Sequence, residues 1–363
     1  MKPWRQAVKI GAVVHGPEIV DTGCALKIVH YLRKFGEVRA VLGGTMGRVA
    51  ILDAGLEEFI DIFPRKRPSQ SIKDLEVTCD IIFLLNYAKS KESGLAFGSM
   101  VAAASRASKP LIQIDCGGRF VADLGLRAGE LAGTVAADLN LDILETSAFT
   151  GIFREGKVAR RILRGVDPGE PISVNGKVIG KATSGLVEIE SIDNMIVSVK
   201  GANIKSHGLE KLPFVDLEKA IIRSGNIRRT KASSAIAWVN EEGRKGAAFI
   251  DHCAEDAFEI AQGAMVAVTV GDDTTAIAGE ILARMGVTVV GIVDGDLDWL
   301  AGRTKNHRGG VVIKVRPGCD DLVGLEVKEE LFRGEKRAML GMEEVIRRIT
   351  EISGDRILRV NCY

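Results

Sequence analysis

Residues 265–299 read MVAVTVGDDTTAIAGEILARMGVTVVGIVDGDLDW, and this stretch decides the fold. Residues 265–270 are an apolar run with β-branched side chains, the composition of a strand buried on both faces. Gly271 and the polar run Asp272-Asp273-Thr274-Thr275 follow, and Asp273 or Thr274 can cap a helix. Ile277, Ile281, Leu282 and Met285 then recur at helical spacing, and Gly286 stops the helix. Residues 287–293 predict a second buried strand. A short crossover between two such strands implies parallel pairing. Ligands of parallel sheets bind beyond the carboxyl ends of the strands, where both polar clusters, 271–275 and 294–298, fall.

Outward from this unit the same alternation recurs. Strands are predicted at residues 8–14, 38–42, 59–62, 80–85 and 111–114, with helices at 22–35, 46–54 and 94–107. His15, Thr45, Asn86, Asp115 and Arg119 each follow a predicted strand, so they share one sheet edge and mark either a second crevice or ordinary turns and caps. From about Asn140 the texture changes: helical spacing is lost and Asn175-Gly176 stands between extended runs, a hairpin signal. Residues 215–223 predict a helix, 247–250 a strand, 311–315 a strand, 339–352 a helix and 356–360 a last strand. The expected fold is α/β, with two Rossmann-like parallel-sheet domains, 1–149 and 213–363, flanking a small antiparallel β-domain at 150–212.

Composition narrows the function classes. The 363 residues carry a net charge of +1, which argues against a global polyanion binder. Aromatic residues make up 5%, too few for an extensive base-stacking surface. No apolar run has membrane-spanning length, and the opening MKPWRQAVK lacks a signal-peptide core, so a cytoplasmic location without membrane association is expected. The six cysteines are scattered with no Cys-x-x-Cys, which favours free thiols over disulfides or structural zinc.

The chemistry gathers at the C-terminal sheet edge. A helix opening on Gly271, Asp273, Thr274 and Thr275 offers backbone N–H groups and two hydroxyls to a phosphate, or is a plain Asp/Thr cap. Asp272 repels an anion there unless a cation bridges. Asp294, Asp296 and Asp298, at alternate positions after a buried strand, repel one another by about 1 kcal/mol per pair at 4 Å in water. Mg²⁺ would relieve that crowding, taking one or two carboxylates plus water and substrate phosphates, unless the acids form a solvated turn. An EF-hand is excluded, because its sixth position is Trp299 and its twelfth Lys305. Asp294 lies near the distance expected of a ribose-binding acid, but the glycine fingerprint is missing, so neither NAD nor FAD is expected. Arg303, Lys305, His307, Arg308 and Arg316 lie in loops on the same side, and Asp320-Asp321 ends the neighbouring strand. His252-Cys253 is disfavoured as a nucleophile and base, since adjacent residues rarely face each other.

Val13–Gly23 (VVHGPEIVDTG), Val270–Leu282 (VGDDTTAIAGEIL) and Val293–Asp298 (VDGDLD) resemble an archaeal, methanogen-centred family known as a domain of unknown function. That resemblance implies an archaeal cytosol and assigns no activity. Asp294-Gly-Asp296-Leu-Asp298, followed by VVIKVRPGCDD, is also similar to the Asp-x-Asp half of Toprim metal sites in primases and topoisomerases. Toprim sites carry an upstream glutamate after a strand, whereas this chain has Gly271-Asp272-Asp273 at too short a distance. Three expectations result. The first is a Mg²⁺-dependent enzyme acting on a phosphorylated or nucleotide metabolite. The second is a Toprim-like nucleic-acid enzyme using the basic stretches 65–67 and 228–231. The third is a non-catalytic metabolite-binding or assembly protein, with homo-oligomerisation left open.

Overall fold

The computed structural model describes residues 8–125, 128–145, 151–225, 228, 244–295 and 309–363. The chain forms two compact units, Met1–Asn175 with Ile179–Ser233, and Gly176–Val178 with Ser234–Tyr363. Its architecture is α/β, with two mixed, mainly parallel sheets and two antiparallel ones.

The first unit opens with an α/β layer. Its strands are β1 (Lys9–His15), β2 (Glu37–Gly43), β3 (Ile81–Asn86), β4 (Leu111–Asp115), β5 (Phe120–Asp123) and β6 (Asp142–Ile143). Interleaved helices are α1 (Glu18–Asp21), α2 (Cys24–Leu32), α3 (Arg48–Asp53), α4 (Pro68–Glu76), α5 (Lys91–Ser105) and α6 (Gly129–Leu139). The sheet order is β2-β1-β3-β4-β5-β6. The first four strands pair in parallel, and β5 turns back antiparallel to β4. Alternate residues feed two cores: Ile10, Ala12 and Val14 join one face, and Val13, Ile82 and Leu84 the other. Because β1 sits between β2 and β3, the order reverses there, which makes the carboxyl ends of β1 and β3 the crevice position of such a sheet.

The β-rich part of this unit holds β7 (Ile152–Glu155), β8 (Val158–Arg164), β9 (Pro171–Val174), β10 (Lys177–Ala182), β11 (Leu186–Ile192), β12 (Met195–Lys200), β13 (Ala202–Ile204), the short helix α7 (Ser206–Glu210) and β14 (Ile222–Ser224). Sheets ordered β13-β10-β9-β14 and β12-β11-β8-β7 share one core, which includes Ile172, Val174, Ile179, Val187 and Ile189. Asn175 and Gly176 both take positive φ at the β9–β10 turn, as the Asn-Gly signal requires. The helix expected over 215–223 is corrected to a turn and a strand. Asp216 holds a single turn through the N–H groups of Lys219 and Ala220, and Ile222 then pairs with Val174. Edge pairing of the β-branched Ile221-Ile222 outweighs helix propensity in so short a segment. Arg228 ties the two parts together, its guanidinium bound to Asp21 and Asp53 with side chains 9%, 4% and 5% exposed.

The second unit is built on β15 (Ala247–Asp251), β16 (Val266–Val270), β17 (Thr288–Val293), β18 (Val311–Val315), β19 (Arg337–Ala338) and β20 (Ile357–Cys362). Its helices are α8 (Ala257–Ile260), α9 (Asp272–Arg284), α10 (Asp320–Phe332) and α11 (Met342–Ser353). The order is β19-β15-β16-β17-β18-β20, parallel from β15 to β18 and closed by antiparallel edge strands. The 265–299 reading holds over its described part, residues 265–295. Val266, Val268 and Val270 face one core and Ala267 the other, while α9 packs on β16 and β17.

That packing is close. A Cβ built on Gly291 of β17 would lie 2.6 Å from Thr275 Cγ2 and 3.1 Å from its Oγ1. Gly291→Ala is therefore expected to destabilise the second unit by about 1–3 kcal/mol through overpacking. Adding Thr275→Ser removes the nearer methyl and should recover part of the loss. Urea unfolding checks both, and an unshifted transition in Gly291→Ala contradicts the packing described.

Candidate functional site

Four parallel strands of the second unit deliver polar residues to one rim. β15 ends at Asp251, and His252 follows with φ +49, a left-handed conformation unusual for a residue with a side chain. Its ring hydrogen-bonds through Nδ1 to the Asp251 carboxylate, while Nε2 lies 3.4 Å from Asp321 Oδ1 at the start of α10. Gly271, just past β16, has φ +94, and a Cβ there would sit 3.2 Å from His252 Nε2. Glycine thus satisfies both the backbone and the space the imidazole takes. One ligand atom each from Asp251, His252 and Asp321 fall within 4.8 Å of one another. Burial acts to raise the Asp251 pKa, but the His252 hydrogen bond and nearby positive charge overcome it and hold the carboxyl below its ordinary value.

The neighbouring acids clamp the next loop along. Asp272 Oδ1 accepts the Gly295 N–H at 3.2 Å, and Asp294 Oδ2 accepts the Gly318 N–H at 2.6 Å. Thr274 and Thr275 are buried, and the Thr275 hydroxyl hydrogen-bonds Thr269 at 2.9 Å inside the sheet–helix interface. Asp273 lies in the first turn of α9. Arg316 reaches Asp355 at 3.1 Å. Asp296, Asp298 and Arg303 lie outside the described residues. So the rim gathers Asp251, His252 and Asp321, sets Asp272 and Asp294 in loop clamps, and turns Thr275 inward.

The Asp251–His252–Asp321 grouping was not assembled from sequence. In sequence, Asp320-Asp321 reads only as acid at a strand end, and His252 only as the neighbour of Cys253. The available signal was register: parallel strand ends share an edge, so 251–252 and 320–321 belong together.

In the first unit, His15, Asn86 and Asp115 stand at the ends of β1, β3 and β4. His15 Nδ1 contacts Asn86 Oδ1 at 3.2 Å, and Asn86 Nδ2 donates to Asp115 Oδ2 at 2.8 Å. Asp115 Oδ1 accepts the N–H groups of Ala88 at 3.0 Å and Gly118 at 2.7 Å. The His15 ring stacks on Phe97 with centroids 4.2 Å apart. Burial lowers the His15 pKa to about 4, against the Asn86 hydrogen bond and with help from Arg223. Burial raises that of Asp115 despite its backbone donors. Arg119 instead donates to the Asn140 carbonyl at the end of α6.

These features belong to an archaeal α/β protein family. The model of DUF2117, described as an uncharacterized protein conserved in archaea, matches residues 12–335, and the chain is a member of that family. An uncharacterized protein of Methanocaldococcus jannaschii is 39% identical over 369 residues, covering 98% of this chain and 99% of that protein. Among the described residues, no helix is long and apolar enough to cross a membrane.

Folded His15 stays neutral down to about pH 4, whereas an unfolded histidine takes its proton near 6.5. Between these values the unfolded chain binds more protons, so acid removes up to ~3 kcal/mol of stability over that window. The stability advantage of wild type over His15→Gln should therefore shrink by that amount from about pH 7 to about pH 4. A difference that stays constant in denaturant titrations across this range contradicts it.

Proposed function

We propose that the carboxyl rim of the second unit's sheet binds a divalent cation and, through it, a phosphorylated or nucleotide metabolite, as the site of a metal-dependent transferase or hydrolase. The observation that carries this is the convergence of Asp251, His252 and Asp321 within 4.8 Å. Two carboxylates and an imidazole crowd one point, and a cation is what favours that crowding. The donor set fits one. Asp251 accepts a hydrogen bond from Nδ1–H and so orients the ring, as carboxylates beside metal-bound histidines do, and this leaves Nε2 facing Asp321. Carboxylates suit Mg²⁺ or Mn²⁺, and the imidazole adds affinity for Zn²⁺ and its neighbours.

The protein's own share of the work would be orientation. Asp272 and Asp294 fix the loops of β17 and β18 around the rim. The first turn of the 13-residue helix α9 opens on the same edge, with N–H groups that a phosphate oxygen can accept. The bound cation would supply charge neutralisation for that phosphate.

Melting the full chain with Mg²⁺, Mn²⁺ or Zn²⁺, each with and without ATP, tests this. A cation at 100 times its Kd should add about 2.7 kcal/mol of stability. ATP should add a further increment only when the cation is present. Asp321→Asn and His252→Gln should lose both increments while melting normally without metal. Melting curves that none of the three cations moves would remove the proposal, and salt-sensitive retention of DNA would redirect it to a nucleic-acid enzyme.

A further inference from the structure

The line of hydrogen bonds at the rim of the first unit has one open end. At its inner end Asp115 accepts the Asn86 side-chain amide at 2.8 Å and the N–H groups of Ala88 and Gly118 at 3.0 and 2.7 Å. Helix α5 seals that end, since a Cβ on Gly94 would lie 2.5 Å from Asp115 Oδ2. Asn86 cannot turn its amide over, because its oxygen would then face the carboxylate. Asn86 Oδ1 therefore faces His15 Nδ1 at 3.2 Å and can only accept, so the ring carries its proton on Nδ1. Nε2 is left as a bare lone pair.

The direction of that lone pair follows from the two flanks of the ring. Nδ1 is turned to Asn86 at the end of β3. Cδ2 is turned to Gly44, just past β2, and lies 4.0 Å from where a Cβ on that glycine would stand. The Cε1–Nε2 edge, opposite the Cγ attachment, thus points out beyond the end of β1. Phe97 stacks on the ring with centroids 4.2 Å apart and planes 23° from parallel, which holds it in this orientation. The ring is half-buried, and among the described residues no hydrogen-bond partner meets Nε2. A row of satisfied polar groups thus ends on one unmet acceptor, at the crevice position of the sheet, where a donor from outside completes it.

We propose that His15 Nε2 is the recognition atom of a second ligand site, which takes a hydroxylated, sugar-type molecule by accepting one of its O–H groups. This rests on the first unit alone and is independent of the cation proposed for the second.

The acceptor selects that class. An ionised carboxylate or phosphate oxygen brings lone pairs to a lone pair and is turned away. An ammonium group can donate, but the Arg223 charge acts on this ring and opposes a second cation there. Proton abstraction is disfavoured too. Burial keeps the ring neutral down to about pH 4, so it holds a hydroxyl by a hydrogen bond and leaves the proton on it. Neutral donors remain, and a sugar offers several hydroxyls on a rigid frame that loses little freedom on binding.

The test uses the full chain with its five histidines labelled with ¹⁵N, at about pH 7. Two-bond ¹H–¹⁵N correlation spectra report which ring nitrogen carries the proton. His15→Gln and His15→Phe each identify the His15 signals by their loss, so the assignment does not depend on one variant folding. His15 should show the Nδ1–H tautomer. D-Ribose or adenosine should move the Nε2 signal toward the protonated range and leave Nδ1 close to its place. A response to both assigns the sugar ring itself, and a response to adenosine alone assigns the ribose of a nucleoside. Acetate, which can only accept, should move neither nitrogen. By calorimetry His15→Phe, which keeps a ring against Phe97, should bind the sugar about tenfold more weakly, the loss of one hydrogen bond. The proposal fails if Nε2 carries the proton in the free protein, if neither sugar moves its signal, if acetate moves it as they do, or if His15→Phe binds as tightly as wild type.

Discussion

A parallel strand covered on both faces can carry a polar side chain within it only where that group finds a partner, as Gln113 does in the Gly94 carbonyl and Thr269 in Thr275, and otherwise carries its polar groups at its ends. That constraint governs both sheets of this protein. β3, β4 and β16 are buried along their whole length, and the polar groups at the rims stand at or just past the last pair of the ladder. Asn86 and Asp115 close their strands in the first unit, while Asp251, Asp272 and Asp294 close or follow theirs in the second. Buried valines and isoleucines drive the sheets together, and the rims are what remains for chemistry.

The two rims have opposite characters. In the first unit a neutral imidazole, an amide and a buried carboxyl are joined in one line of hydrogen bonds. The second unit's rim is acidic, and its histidine lies between two carboxylates. One rim is a hydrogen-bonded line of polar groups and the other a cluster of acids around an imidazole. Both characters arise from the residues that end or follow the strands, since the strand interiors are mainly aliphatic in both sheets.

Much of this was legible because the signals were local. The β16–α9–β17 crossover needed only composition, helical spacing and a closing glycine. Asn175-Gly176 gave its hairpin for the same reason, the left-handed backbone those residues tolerate. Less local features were missed. Helix α10 was not foreseen, because Leu322 and Leu325 are exposed while Val323 and Val327 are buried, which blurs its apolar stripe. Helix α4 was likewise not foreseen beyond the basic loop 65–68 that leads into it, although Pro68 at its first position is a start signal. The segment 215–223 was misread because its partner strand, β9, lies far back in the sequence. His252 and Asp321 meet only through the register of the sheet, which periodicity within one segment cannot supply.

The backbone clamps of the second unit have a mechanical consequence. Asp272 opens α9 just past β16 but holds Gly295, and Asp294 belongs to the β17 loop but holds Gly318. Each loop is fastened by its predecessor, like overlapping roof tiles. Freeing one loop releases the grip on the next, so ordering spreads along the rim in sequence direction. Displacing Asp272 would therefore loosen Gly295 and, through the adjacent Asp294, the hold on Gly318.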